Sequence, residues 1–195
     1  MKKSLMILAL MLGLGAALPC RAQTYSIDAK HSAVNFSIKH MAISTVRGRF
    51  AVQSGEIVYD AAHAEKDSVT AVIDVAAVDT GVAQRDTHLR SKDFFETETY
   101  PTATFVSTSV KKGAAGLIVE GNLTLHGVTK PVTLLLDEPS KEITGMDGKP
   151  HRGFSATTTL HRADFGLTWN GTLKSGDKVL GDDVPMAFDI EGIHK

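Results

Sequence analysis

The chain has one cysteine, one tryptophan and almost no net charge. Each scarcity excludes something. Cys20 is the lone cysteine, so no intrachain disulfide can form and stability must come from core packing. Lys and Arg number 21 against 22 for Asp and Glu, so no strongly basic surface is offered to a nucleic acid. There is no Gly-x-Ser-x-Gly elbow, no His-Glu-x-x-His, no phosphate-cradling glycine loop and no dinucleotide fingerprint. The expectation is a protein that is not an enzyme and holds no cofactor.

The longest apolar run, Leu5 to Leu18, is about 14 residues, short of the roughly 20 that a membrane-spanning helix requires. Lys2 and Lys3 precede it, and Cys20-Arg21-Ala22 follows with small residues at a cleavage position. This is the layout of a secretory signal over residues 1–22, cut after Ala22. A lipoprotein signal with lipid on Cys20 is the rival, and Pro19 directly before the cysteine fits it poorly. Removing Lys2, Lys3 and Arg21 leaves 18 basic and 22 acidic residues, a net charge of −4. Residues 23–195 then form a single exported domain without a membrane span.

What is present is alternation. Val34, Phe36, Ile38 and His40 share one strand face, and Val46, Gly48, Phe50 and Val52 share another, with Arg47 and Arg49 opposite. The period of two returns at Val69–Val75, Ala103–Phe105, Leu117–Leu125, Val132–Leu136, Phe154–Leu160 and Val184–Ile190. Turn signals separate these runs, as at Asn170-Gly171. Many short strands at this spacing predict an all-β sandwich or barrel. In a barrel, apolar inner faces either fill the core or enclose a greasy ligand site.

One stretch breaks the pattern. Arg85-Asp86-Thr87-His88-Leu89-Arg90-Ser91-Lys92-Asp93 precedes the pair Phe94-Phe95. It reads as a short helical insert at one end of the sheet, with both phenylalanines turned inward. Arg85 and Asp86 read either as head-group ligands or as an ion pair or cap pinning the insert to the barrel. The eight histidines are scattered without close ligand spacing, and Asp86 and His88 diverge on a helix, so no metal site is expected.

Several pieces carry a resemblance. They are Asp28, His31-Ser32, Phe36, His40, Gly48, Phe50, Asp79-Thr80, Arg85 to Leu89, Phe94, Tyr100-Pro101, Phe105, Gly121 to Val132, Arg162-Ala163-Asp164-Phe165-Gly166 and Asp183-Val184. In order and spacing the chain resembles the YceI-like family of exported lipid-binding proteins. That resemblance implies a lipocalin-like antiparallel β-barrel of about eight strands. It also implies a periplasmic location and a long isoprenoid, polyprenyl or quinone in type, or a fatty-acid-like amide, inside the barrel.

The expected lining is Val34, Phe36, Ile38, Phe50, Val52, Ile73, Phe94, Phe105, Leu123, Leu125, Phe165, Trp169, Met186 and Phe188, with Trp169 near the entrance. The head-group or rim residues are His40, Arg49, Arg85, Asp86 and His88. Edge strands leave a homodimer open as well.

Overall fold

Each of the eight alternating runs forms a strand in the computed structural model, which describes residues 22–195. The expected signal segment up to Arg21 lies outside the described residues. In chain order the elements are β1 (Gln23–Ile27), β2 (Ala33–His40), β3 (Ser44–Tyr59), β4 (Ser68–Asp79), α1 (Ala83–Arg90), β5 (Thr102–Lys112), β6 (Gly116–Leu125), β7 (Val128–Asp137), β8 (Ile143–Thr144), β9 (Pro150–His161) and β10 (Asp183–His194). The ring runs β2-β3-β4-β5-β6-β7-β9-β10 and returns to β2, antiparallel throughout. This is a closed eight-stranded barrel. Closure removes the exposed edges that an open sheet would present. The seam between β7 and β9 is the shortest stitch, with Leu135 opposite Thr157 and Leu136 opposite Ala156.

Two strands went unmarked by alternation, β1 and β8. β1 pairs with β3 near Tyr59 and with β10 near His194, while β2 pairs with the opposite halves of the same two strands. β1 and β2 are therefore two halves of one stave. The break between them is tied by side chains. Lys30 N–H donates to Asp28 Oδ1 at 2.8 Å, His31 Nδ1 lies 2.8 Å from Asp28 Oδ2, and Glu191 N–H donates to Ser32 Oγ at 3.0 Å.

β3 is 16 residues long, and register shifts at Arg49/Ala51 and Val52/Ser54 bend it around the barrel. The inner faces meet in a core that includes Tyr25, Val75 and Val119, all essentially inaccessible. Burying each such side chain contributes about 1.5–3 kcal/mol.

The two barrel ends differ. At one end, the mouth, lie the β2–β3 hairpin, the β4–β5 connection carrying α1, and the β9–β10 connection over residues 162–182. The other end, the floor, is plugged by Tyr25, Tyr59 and Phe154, whose rings meet edge to face. Tyr25 Oη donates to Glu142 Oε2 at 2.7 Å and accepts from Arg152 Nε at 3.0 Å. Burial and the Glu142 hydrogen bond push the Tyr25 phenol up to about 12.

Candidate functional site: an apolar chamber under a two-part lid

α1 is too polar to form on its own account, and its place depends on what it caps. Asp86 sits in its first turn and His88 and Arg90 in its last, which matches the helix dipole. The helix stops at Arg90, where Ser91 N–H and Oγ both donate to His88 O. The rest of the charged stretch is turns, with Phe95 N–H bonded back to Leu89 O.

Asp86 and Arg85 both hold Thr80. Asp86 Oδ1 accepts from Thr80 N–H at 2.9 Å and from Thr80 Oγ1 at 2.5 Å. Arg85 donates from Nε to Thr80 Oγ1 at 2.7 Å and from Nη2 to Thr80 O at 2.9 Å. Both side chains thus tie α1 to the residue directly after β4 through one shared threonine.

The second half of the lid comes from the β9–β10 connection. Arg162 is buried, and its guanidinium donates to the carbonyls of Gly181, Leu167 and Trp169 and to Asp182 Oδ1. One side chain thus fixes a 21-residue connection by satisfying carbonyls that would otherwise be stranded. Asn170 adds a reciprocal pair with Leu180, donating to its carbonyl at 2.8 Å and accepting from its N–H at 2.9 Å. His126 Nδ1 lies 3.1 Å from Phe165 O, which requires the proton on Nδ1 and seats Phe165 in the lid. Next to it, Gly127 has φ +72, and a Cβ there would come within 2.6 Å of Tyr100.

Between lid and floor lies a chamber of about 470 Å³, within the range of small-molecule sites. Of the expected lining, Phe36, Ile38, Phe50, Phe94, Leu125, Phe165, Trp169 and Met186 face it, as do His40, Arg85 and His88 from the expected rim. A smaller void of about 100 Å³ lies toward the floor and takes in Ile73, Phe105, Leu123 and Phe188, with Leu160 bordering both spaces.

Four expected residues line neither space. Val34 and Val52 are buried in the wall. Arg49 points outward and pairs with Asp79 at 3.2 Å, as its place on the polar face of β3 dictates. Asp86 is committed to Thr80.

Phe95, expected to turn inward with Phe94, lines the chamber too, whereas sequence reasoning passed over Val46, Ser44, Thr80, Leu89, Leu160, Arg162, Leu167, Val179, Leu180 and Val184 as lining residues. Val46, Leu160 and Val184 lay on apolar strand faces already recognised. The connection residues had no periodic signal.

Aromatic rings build the chamber's shape. Phe36 stacks on Phe50 at 5.1 Å, and Phe95 meets Phe50 edge-on at 5.4 Å. His88, Phe94 and Trp169 form a mutual cluster with centroid separations of 5.0–5.2 Å. His88 Nε2 lies 2.9 Å from Asp93 Oδ2, so its polar edge is occupied while its ring faces the aromatics.

Toward the floor, Asp67 borders the smaller void. Its Oδ1 accepts from Asp60 N–H, whereas its Oδ2 is buried without a hydrogen-bond partner. Burial pushes this carboxyl up to about 6.

Among the described residues, Asp28, His31 and Glu191 could gather ligand atoms around a metal ion, far from the chamber. Asp28 and His31 bond each other at the stave break instead, and the Glu191 carboxylate is taken by His151 Nδ1 at 2.7 Å. No helix among the described residues is long and apolar enough to cross a membrane.

A closed eight-stranded barrel with a lidded apolar interior is the architecture of lipocalin-like proteins. The YceI-like domain family matches residues 25–192, and the chain belongs to that family. A UPF0312 protein of Vibrio vulnificus is 38% identical over 200 residues, covering 100% of each chain. Among solved structures, BcnA of Burkholderia cenocepacia superposes with a TM-score of 0.70 at 26% identity, over 85% of this chain and 98% of that one. A polyisoprenoid binding domain from Saccharophagus degradans, implicated in plant cell wall breakdown, shares the fold with a TM-score of 0.61 at 23% identity, over 89% and 99% of the two chains.

Proposed function

We propose that this protein binds and carries a long-chain amphiphilic lipid of the isoprenoid type, polyprenyl or quinone, in the periplasm, and that it catalyses no reaction. The observation that carries this reading is the 470 Å³ chamber, walled by phenylalanines and aliphatic side chains and roofed by two fixed connections. Each methylene or methyl moved from water into such a space contributes about 0.8 kcal/mol. A long tail is therefore held with few polar contacts. The polyisoprenoid binding domain of Saccharophagus degradans supports the choice of chain, since it has the same barrel.

Head-group chemistry falls to the rim. Arg162 is spent on the lid, and Arg85 uses Nε and Nη2 on Thr80, which leaves Nη1 as the donor for a polar head. Export of the chain, expected from residues 1–22, puts this carrier where a lipid must cross an aqueous space between two membranes.

Mass spectrometry of an organic extract of the purified protein is the test. A long-chain species near one equivalent per chain supports carriage. An extract without lipid, from protein that also fails to take up added polyprenol or quinone, overturns it. Phe36→Asp places an unpaired carboxylate against Phe50 in the chamber. A folded Phe36→Asp variant that still retains lipid would sink the chamber assignment.

A further inference from the structure

Three apolar side chains stand exposed at the mouth, among polar neighbours such as Gln84, Lys92 and Asp93. Ile43 at the tip of the β2–β3 hairpin is 80% exposed, Val82 at the start of α1 is 47% exposed, and Trp169 is 36% exposed. These residues come from three separate elements, and all three elements border the same chamber. The hairpin tip is unusual in its chemistry. Met41 and Ala42 have φ of 51° and 59°, the paired left-handed conformation of a tight hairpin turn that ordinarily selects asparagine and glycine. Non-glycine residues adopt that region at a cost. The tip is clamped from beside it, with Met41 N–H donating to Val179 O at 2.7 Å and His40 bridging Leu180. A polar turn would be easier to make and easier to solvate. What this turn holds out into solvent is Ala42 and Ile43.

From these features we infer that the mouth rim, comprising Ile43, Val82 and Trp169, docks the barrel onto the surface of a lipid bilayer. The inference rests on the lipid-carrier reading, because a ligand that resides in a bilayer must pass from it into the chamber. Trp169 both lines the chamber and stands partly exposed at the mouth, so its ring offers the tail an apolar path from the bilayer into the interior. The indole suits this position, since it places an apolar ring and one N–H donor at the boundary between acyl chain and head group. The rim is small, so binding is shallow and reversible, in keeping with adsorption that scales with buried apolar area.

The full chain without its leader is mixed with phosphatidylcholine–phosphatidylglycerol vesicles and sedimented. Trp169 is the single tryptophan of the sequence and is partly exposed, so its emission reports the mouth. The expected result is co-sedimentation, a blue shift, and quenching by phosphatidylcholine brominated high on the acyl chain. Ile43→Asp and Val82→Asp, both at exposed positions, should each lower vesicle partitioning about tenfold with the melting temperature and the extractable lipid unchanged.

Wild-type protein that stays in the supernatant, or Trp169 emission that brominated lipid leaves untouched, overturns the inference. So does a dimer on size-exclusion chromatography that Ile43→Asp splits while vesicle binding is unaffected, because the rim would then pair two copies. Loss of the carrier reading is separately visible, as an extract without lipid and no uptake of added polyprenol or quinone by protein that nonetheless sediments with vesicles.

Discussion

Trp169 meets His88 edge to face, with ring centroids 5.2 Å apart and planes at 86°. One residue belongs to the β9–β10 connection and the other to α1. Their contact is where the two halves of the lid touch, and Phe94 completes the junction. Aromatic pairs of this geometry contribute about 0.5–1.5 kcal/mol beyond their area. Trp169→Ala should therefore speed release of a bound polyprenol by roughly threefold to tenfold, with little change in the melting temperature. Stopped-flow transfer of a fluorescent polyprenyl analogue to acceptor vesicles measures this directly.

Gly48 faces Phe36 across the β2–β3 ladder, and a Cβ there would lie 2.5 Å from Phe36 Cζ and 2.8 Å from Thr80 Cγ2. Gly48→Ala must push the phenyl ring into the chamber. Overpacking of this kind costs about 1–3 kcal/mol. The expected outcome is a lower denaturation midpoint and a bound-lipid profile shifted to shorter chains, read by mass spectrometry.

Asp86 is buried and satisfies both the N–H and the hydroxyl of Thr80. Asp86→Ala strands a backbone donor and releases the start of α1, at a cost of about 2–3 kcal/mol. Hydrogen exchange should rise first over residues 80–95 and leave the barrel strands protected. Uniform loss of protection instead would mean that α1 is part of the global folding unit.

Asp67 gives a pH signature. Its carboxyl sits at about 6 in the folded chain, above the ordinary value near 3.9. The folded state thus prefers the protonated form, so stability is full below about pH 4, falls between about pH 4 and pH 6, and stays lowered above. Asp67→Asn keeps an oxygen to accept from Asp60 N–H and removes the buried charge. It should stabilise the protein at neutral pH by up to about 2 kcal/mol, a gain that disappears near pH 4 in urea titrations.

The barrel staves were legible because their chemistry is periodic. Phe36, Ile38 and His40 face the chamber for the same reason that Arg49 does not, since adjacent residues on a pleated strand point to opposite sides. β1 escaped notice because Gln23 to Ile27 is too short to show a period, and its stave is completed only by β2, beyond the break. The motif residues split by role. Phe36, Phe50 and Phe165 shape the chamber, whereas Asp28, His31 and Ser32 tie the stave break and Gly127 turns beside Tyr100. Arg162 was the largest omission from the site. Its partners are backbone carbonyls of a connection without alternation, and no pattern of side chains announces that arrangement.

The divided stave has a topological consequence. Lys195 N–H donates to Thr24 O at 2.9 Å, and Lys195 Nζ pairs with Glu56, so residues 23 and 195 are neighbours at the floor. A short bridge joining them, with new termini opened at residues 28–32, would thread the same barrel as a circular permutant without moving a ladder. It also means that a reporter fused at residue 195 hangs from the end opposite the lid, where it leaves the mouth unobstructed.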